Sequence, residues 1–427
     1  MTATGTTART NQHAETPSPD VAPAPPATRD IGLDAVRGLG VLGILIVNIT
    51  YAAFPFDMTV FRPMPPDTPF DRAAMDTLEV LAAGKFMAIF SMLFGVGVLL
   101  FAQRFDHPPD GSRPPISAGT GRWHRRMLAL LAIGIMHIVF GWPGDILTAY
   151  AIAGIAGLWW VRRWPAPVLA AVAAAASVIG TLIFVSLLGM MMVMPELDPE
   201  AAAAVAEDEA ARIVSLRDGG YLDVLLYNLS MLPDMVLMAL MTFPLVTGLM
   251  LLGMSLHRWG YFAPARSARF YTRVAAFGIG GGALLSLLVF LAMRAIGAGD
   301  WWAIAAQPIG LPLAIGYTAL IMRLSRTPFA GPAIAVLAAT GRTALSNYLL
   351  QTLCMSFVFY GWGLGLITKV GSLTLLGVVA VIWALCLAWP PFWLARFRFG
   401  PAEWGWRRLT YGAAAGPIRR SYTRSNA

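Results

Sequence analysis

Charge is scarce in this chain. Of its 427 residues only 13% are Asp, Glu, Lys or Arg, against 57% hydrophobic, and the mean hydropathy is +0.64. That little polar surface cannot clothe the two or three soluble domains this length would otherwise fill, so lipid is the solvent the composition points to. Cysteine is nearly absent: Cys354 and Cys386 both sit inside apolar runs, which excludes a disulfide framework and a cysteine metal site and leaves them as packing residues. Lysine occurs only as Lys85 and Lys369, and arginine carries the rest of the basic charge. Motifs for a Ser-His-Asp set, a phosphate-cradling glycine loop or a zinc cluster are lacking. No internal repeat is evident, which gives no ground for an inverted-repeat transporter fold.

The net charge of +8 and pI near 9.8 would suggest nucleic acid in a soluble protein. Here the arginines collect in short segments between apolar runs, without the interleaved aromatics of a nucleic-acid surface, so no nucleic-acid partner is expected. Runs long enough to cross a bilayer fall near 36–53, 86–103, 127–142, 145–161, 168–194, 235–256, 274–296, 304–322, 343–361 and 373–395. The stretch Tyr221 to Ser230, ending before Pro233, reads as a separate half-helix. Arginine alternates from loop to loop: Arg104 to Arg126, Arg162 and Arg163, Arg258 to Arg273, Arg323 and Arg326, then the tail. The opposite loops are acidic, with Asp57, Asp67, Asp71, Asp76 and Glu79 in one and Glu196 to Glu209 in another. Cytoplasmic loops carry the basic excess. The reading is therefore an all-α polytopic transmembrane bundle of about ten spans with both termini cytoplasmic. Residues 1–28 form a disordered tail, 29–411 a single transmembrane domain with an acidic external loop at 195–221, and 412–427 a basic tail. Asp198 and Pro199 predict a short surface helix inside that loop.

Polar groups at membrane depth are costly and therefore mark either function or helix packing. Asn48 follows Arg37 by eleven residues on the first helix, and His137 follows Arg126 by eleven on the third. Eleven residues are about three turns, roughly 16 Å, so each pair shares a face and Asn48 and His137 reach similar depth. His137 is the one histidine deep in an apolar run; its imidazole is either a general base or an interhelical bond. Asp34 accompanies Arg37. Lys85 at the mouth of the second helix and Asp145 in GWPGD either pair at the membrane edge or serve His137 and a substrate. Ser91, Gly95 and Gly97 make a small-residue strip suited to packing. In GRTALSNYLLQT, Arg342 precedes Asn347 and Gln351, which stand four apart on one face. Glu403 and Arg407 suit an i,i+4 pair on a short interfacial helix that also carries Trp404 and Trp406.

The blocks LDAVRGLGVLGILIVN, KFMAIFSMLFGVG, HRRMLALLAIGIMH with GDIL, GRTALSNYLLQ and GPAEWGWRRLTY resemble the YeiB-like membrane proteins, a bacterial family of unknown function, over nearly the whole chain. The resemblance implies the bacterial cytoplasmic membrane, and a wider kinship with integral membrane acyltransferases that use cytoplasmic acyl-CoA and an acceptor on the far side. Among them the sugar O-acetyltransferases carry an arginine, ten residues and a histidine on the first helix, whereas the heparan glucosaminide N-acetyltransferases are similar to this chain in having an asparagine there. Here Asn48 stands at the histidine position, so the base would be His137. On this reading Arg37, Arg126 and Arg342, with Asn347 and Gln351, hold the acyl donor, and His137 and Asn48 serve an acceptor hydroxyl or amine on a small molecule, sugar or lipid. Acyl-CoA is then a co-substrate and no further cofactor is needed. The alternatives are a transporter or exporter using the same polar path, and a membrane interaction protein with a structural polar core.

Overall fold

The computed structural model describes residues 30–54, 68–107, 114–263, 266–296 and 309–419. The expected tail at 1–28, Asp57 and Asp67, Arg113, the start of the run at 304–322, and the arginines from Arg420 onward lie outside these residues. Among the described residues every regular element is helical, apart from an isolated bridge between Phe397 and Arg419.

The chain enters α1 (Ile31–Ala53) where Asp30 accepts from the amides of Gly32 and Leu33, the usual service of a carboxylate at a helix N-terminus. Thr68 caps α2 (Pro69–Leu81) in the same way. Gly84, at φ 74°, then turns the chain into α3 (Lys85–Asp106), a left-handed position suited to glycine. Next come α4 (Thr120–Phe140), α5 (Leu147–Val161), α6 (Ala166–Leu197) and α7 (Pro199–Asp218). The acidic loop is thus a full helix of 20 residues rather than a short one.

The run expected as one span at 235–256 is broken. It divides at Thr242 into α9 (Leu232–Met241) and α10 (Phe243–Arg258), with Pro244 in the first turn of α10, where its missing N–H ends the ladder of the preceding helix. The half-helix before it is α8 (Tyr221–Ser230), bent 45° from α9. The chain continues through α11 (Ala268–Ala295), α12 (Leu311–Leu324), α13 (Gly331–Arg342), α14 (Ala344–Phe359), α15 (Ser372–Arg396) and α16 (Pro401–Tyr411).

Six segments have the length and apolarity to cross a membrane: α1, α2 with α3, α4, the first part of α6, α11 and α15. The bent α8–α9 pair would make a seventh. Three further apolar helices, α5, α12 and α14, are shorter. The apolar windows of α1 and α3 are 67% buried, whereas those of α6 and α11 are 22% buried and that of α15 is 28% buried. The first two are therefore the centre of the bundle and the others its rim, with side chains such as Leu182, Leu288 and Val381 facing outward.

Close helix approaches fall at glycine. A methyl group on Gly95 of α3 would collide with the Met250 carbonyl of α10, and one on Gly253 of α10 would collide with the Met92 carbonyl of α3. Gly38 and Gly341 do the same between α1 and α13. Without a hydrophobic drive between helices in lipid, such backbone contact supplies the packing energy. The basic ends are knitted together as well. Buried Arg162 and neighbouring Arg163 both pair with Asp106 at 2.9 and 2.7 Å, and Arg258 reaches the Arg162 carbonyl. At the other end Arg294 pairs with Asp76.

Candidate functional site

His137 lies on the last turn of α4, and the six residues that follow bend sharply into α5. Asp145 in that bend has two distinct tasks. Its Oδ2 accepts from the Thr148 amide at 2.6 Å, capping the first turn of α5. Its Oδ1 stands 3.0 Å from His137 Nδ1, with both side chains shut away from the surface. The two atoms are in close contact but are not aligned as a hydrogen bond.

The opposite ring nitrogen is taken by α14: His137 Nε2 is 2.8 Å from Thr352 Oγ1. One turn earlier on the same helix, the Tyr348 ring lies 4.8 Å from the imidazole centre, and its hydroxyl donates to the Gly144 carbonyl at 3.3 Å, steadying the bend that carries Asp145. Gly134 lets α5 approach, since a methyl there would strike Thr148 and Asp145. His137 is 5% exposed and Thr352 2%. With the proton on Nδ1, the side that faces the carboxylate, the Nε2 lone pair is left to the threonine hydroxyl. The result is a carboxylate, an imidazole and a hydroxyl in series, the arrangement by which a base activates an alcohol.

Helix α8 closes this end. Fully buried Asn228 donates to the Val139 and Gly141 carbonyls at 3.2 and 3.4 Å, and Tyr221 to that of Phe140 at 2.8 Å. These satisfy carbonyls at the C-terminus of α4 that have no partner within the helix.

The other end of α4 is basic and aromatic. The Arg126 guanidinium lies 3.7 Å over the Trp406 ring, and the Trp406 indole donates to the Arg126 carbonyl at 2.9 Å. Arg104 and Arg126 share the Phe101 ring at 5.1 and 5.4 Å. Arg37, paired with Asp34 at 2.7 Å, is partly exposed. Helix α16 binds this end together. Arg125 donates to the Leu409 carbonyl at 2.6 Å, while Glu403 accepts from the Leu345 and Ser346 amides at 2.7 and 3.1 Å and from the Ser346 hydroxyl. Glu403 thus caps the helix that carries Thr352, and Arg407 stacks on Phe399 at 4.3 Å. Burial pushes the Glu403 carboxyl above its ordinary value of 4.5, against the pull of those hydrogen bonds.

The sequence-predicted residues therefore divide. His137 and Asp145 meet at 3.0 Å, while Lys85, fully buried, donates to the Glu79 carbonyl at 3.2 Å. Asn48 is half-buried on α1 and stands outside the bonded set around His137. Asn347 is taken up by the fold, bonded to Thr340, Thr343 and Trp389. Gln351 donates to the Val41 carbonyl at 2.9 Å, tying α14 to α1. Arg342 ends α13, where the chain kinks into α14. Thr352 and Tyr348 went unread in the sequence, though both lie in or beside the block that begins at Gly341. Among the described residues no cluster of His, Cys, Asp or Glu has the makings of a metal site.

An all-helical bundle with a lipid-facing rim and a buried polar chain is a polytopic membrane protein. The chain belongs to the YeiB family. It is 30% identical over 415 residues to "Uncharacterized protein YeiB" of Escherichia coli (strain K12), a match covering 92% of this chain and 99% of that one. It is 26% identical over 398 residues to "Uncharacterized protein YxaH" of Bacillus subtilis (strain 168), covering 89% and 93%. The family described as "Protein of unknown function (DUF418)" matches residues 256–413, a stretch that holds Thr352 and Glu403 but not His137. No solved structure matches.

Proposed function

We propose that the protein is a membrane-embedded acyltransferase of the bacterial cytoplasmic membrane, moving an acyl group from cytoplasmic acyl-CoA to a hydroxyl or amine of a sugar, lipid or other small molecule. The observation that carries this is the buried series Asp145, His137, Thr352, in which an oriented imidazole presents Nε2 to an alcohol. A structural histidine needs one interhelical bond; this one also has a carboxylate against its other nitrogen, which stabilises the imidazolium that forms when a base takes a proton.

The donor end would be the basic end of α4. Arg126 with Arg37 and Arg104 offers guanidinium groups suited to phosphates, and Trp406 an aromatic face. Arg342 would join them from the end of α13. Eleven residues of α4, about 16 Å, separate Arg126 from His137, a distance for an extended thioester arm to bridge. In this reading the six long apolar segments, the three shorter apolar helices and the broken α9–α10 segment make ten crossings, α8 stands outside the count as a half-helix, and both termini are cytoplasmic. The arginine-rich connections support that orientation.

The break at Met231, beside the site, favours a transporter as the second reading, because discontinuous helices are a common device of substrate passage. Purified protein separates the two. Binding of acyl-CoA and release of CoA without any gradient support the enzyme, and gradient-driven uptake into vesicles with no CoA release supports the transporter.

A further inference from the structure

Threonines in the helices of this chain mostly turn the hydroxyl back onto their own helix. Thr50 donates to the Val47 carbonyl, Thr77 to Ala73, Thr242 to Met238, Thr272 to Ala268, Thr340 to Val336 and Thr410 to Trp406. That local bond is the ordinary way for a threonine to sit in a helix. Thr352 departs from it: its Oγ1 lies across the bundle at 2.8 Å from His137 Nε2, with Asp145 behind the ring at 3.0 Å. An acceptor that is to be deprotonated by Nε2 must first push Thr352 aside, whereas Thr352 itself is already in place.

We infer that Thr352 is the nucleophile, so that acyl transfer proceeds in two steps through an ester on Thr352; this deepens the proposed acyltransferase reading and rests on it. In the first step Thr352 Oγ1 attacks the thioester carbonyl carbon while His137 Nε2 takes its proton. The new C–O bond forms, the C–S bond breaks, and the sulfur leaves as CoA thiol with the proton from Nε2. In the second step the acceptor hydroxyl or amine gives its proton to Nε2 and attacks the ester carbonyl. The bond to Oγ1 breaks and Oγ1 regains the proton. Nothing is oxidised or reduced. Asp145 holds the imidazolium in both steps and takes no proton itself.

The closeness of the pieces is built into the helices. Gly141 admits the Thr352 methyl at the end of α4, where a larger residue would collide with it. Tyr348, one turn away on the same face of α14, braces both the imidazole and the bend at Gly144. Thr352 Oγ1 and His137 Nε2 are thus held at reacting distance by the fold itself.

The test uses full-length protein in detergent, with acetyl-CoA and palmitoyl-CoA in turn as donors and no acceptor. The expected result is release of about one CoA per protein in a burst, with the acyl mass found on the peptide containing Thr352. Thr352→Ala should lose both burst and adduct while binding acyl-CoA as before, and Thr352→Ser should retain both. Steady CoA release by Thr352→Ala at the unmodified rate, with no adduct in the unmodified protein, overturns the nucleophile and leaves acyl transfer standing by direct attack. If the unmodified protein neither binds nor cleaves either donor, the acyltransferase reading falls and this inference falls with it.

Discussion

His137 and Thr352 are 215 residues apart in the chain and 2.8 Å apart in the fold. Two devices hold them there: the Asp145 bend at one end of α4 and helix α16 at the other. Asp145 both caps α5 and faces the imidazole, so its two oxygens can be tested separately. Asp145→Asn keeps an acceptor for the Thr148 amide but removes the negative charge behind His137. Its thermal stability should stay within about 1 kcal/mol of the unmodified protein, while turnover falls by about 10²–10⁴-fold. Asp145→Ala should lose stability as well. Equal turnover in the Asn variant would remove the carboxylate from the mechanism.

Helix α16 touches the second turn of α4 and the first turn of α14 at once, through Trp406 with Arg126 and through Glu403 with Leu345 and Ser346. Glu403→Ala leaves the α14 N-terminus without its acceptor, and a loss of about 1–2 kcal/mol is expected, the scale of a helix cap. Stability measured by denaturant titration in detergent, with no change for this variant, would mean that the cap contributes nothing.

The same carboxyl gives a pH dependence. Its folded value lies above the ordinary 4.5, so between the two values the folded protein binds more protons than the unfolded one. Stability from this group is then greatest below about pH 4.5 and declines as pH rises through the raised folded value. Melting curves of the unmodified protein and Glu403→Gln, taken from acid to neutral pH, should therefore move apart in that direction, the unmodified protein losing ground as pH rises. A gap that does not change with pH would contradict the assignment.

Much of this arrangement was open to reading in the sequence, and the omissions have physical causes. His137 stood out because a histidine deep in an apolar run has no cheap explanation, and Asp145 because a carboxylate in a tight turn between two spans must find a donor or a cation. Thr352 gave no such signal: a helical threonine can satisfy itself on its own backbone, so its occurrence at membrane depth requires no partner. The equal eleven-residue spacings pointed to Asn48, yet depth along a helix does not determine which neighbour a side chain meets. Hydropathy joined α9 to α10 because averaging over a window conceals Pro244. Spacing matches Glu403 with Arg407 on its own helix, while its oxygens accept from Leu345 and Ser346, 58 and 57 residues earlier, a tertiary contact that i,i+4 spacing does not report.

Two glycines two residues apart on α3 give a sharp contrast. Gly95 lies against the Met250 backbone, whereas a methyl on Gly97 would meet nothing within 4 Å. Gly95→Leu should therefore force α3 from α10 and cost several times the roughly 1–3 kcal/mol of ordinary overpacking, seen as loss of folded protein in membranes. Gly97→Ala should be neutral or stabilising by up to about 1 kcal/mol, from helix propensity. Equal tolerance at both sites would mean that the α3–α10 contact is not close.

Orientation in the bilayer is open to reporter fusions. Reporters after Arg163 and Arg273 should be cytoplasmic, and those beside Asp76 and Glu207 external. An external reporter after Arg273 would overturn the ten-crossing arrangement, and the bent α8–α9 pair is where the count would change.

The most direct test of the central claim is turnover of acyl-CoA by purified His137→Gln beside the unmodified protein, with donor binding measured separately on both. Glutamine keeps a polar group near Thr352 but cannot take a proton near neutral pH. The account predicts CoA release by the unmodified protein, a fall of about 10²-fold or more in the variant, and nearly equal donor binding in the two. Full turnover by His137→Gln at saturating donor would contradict it.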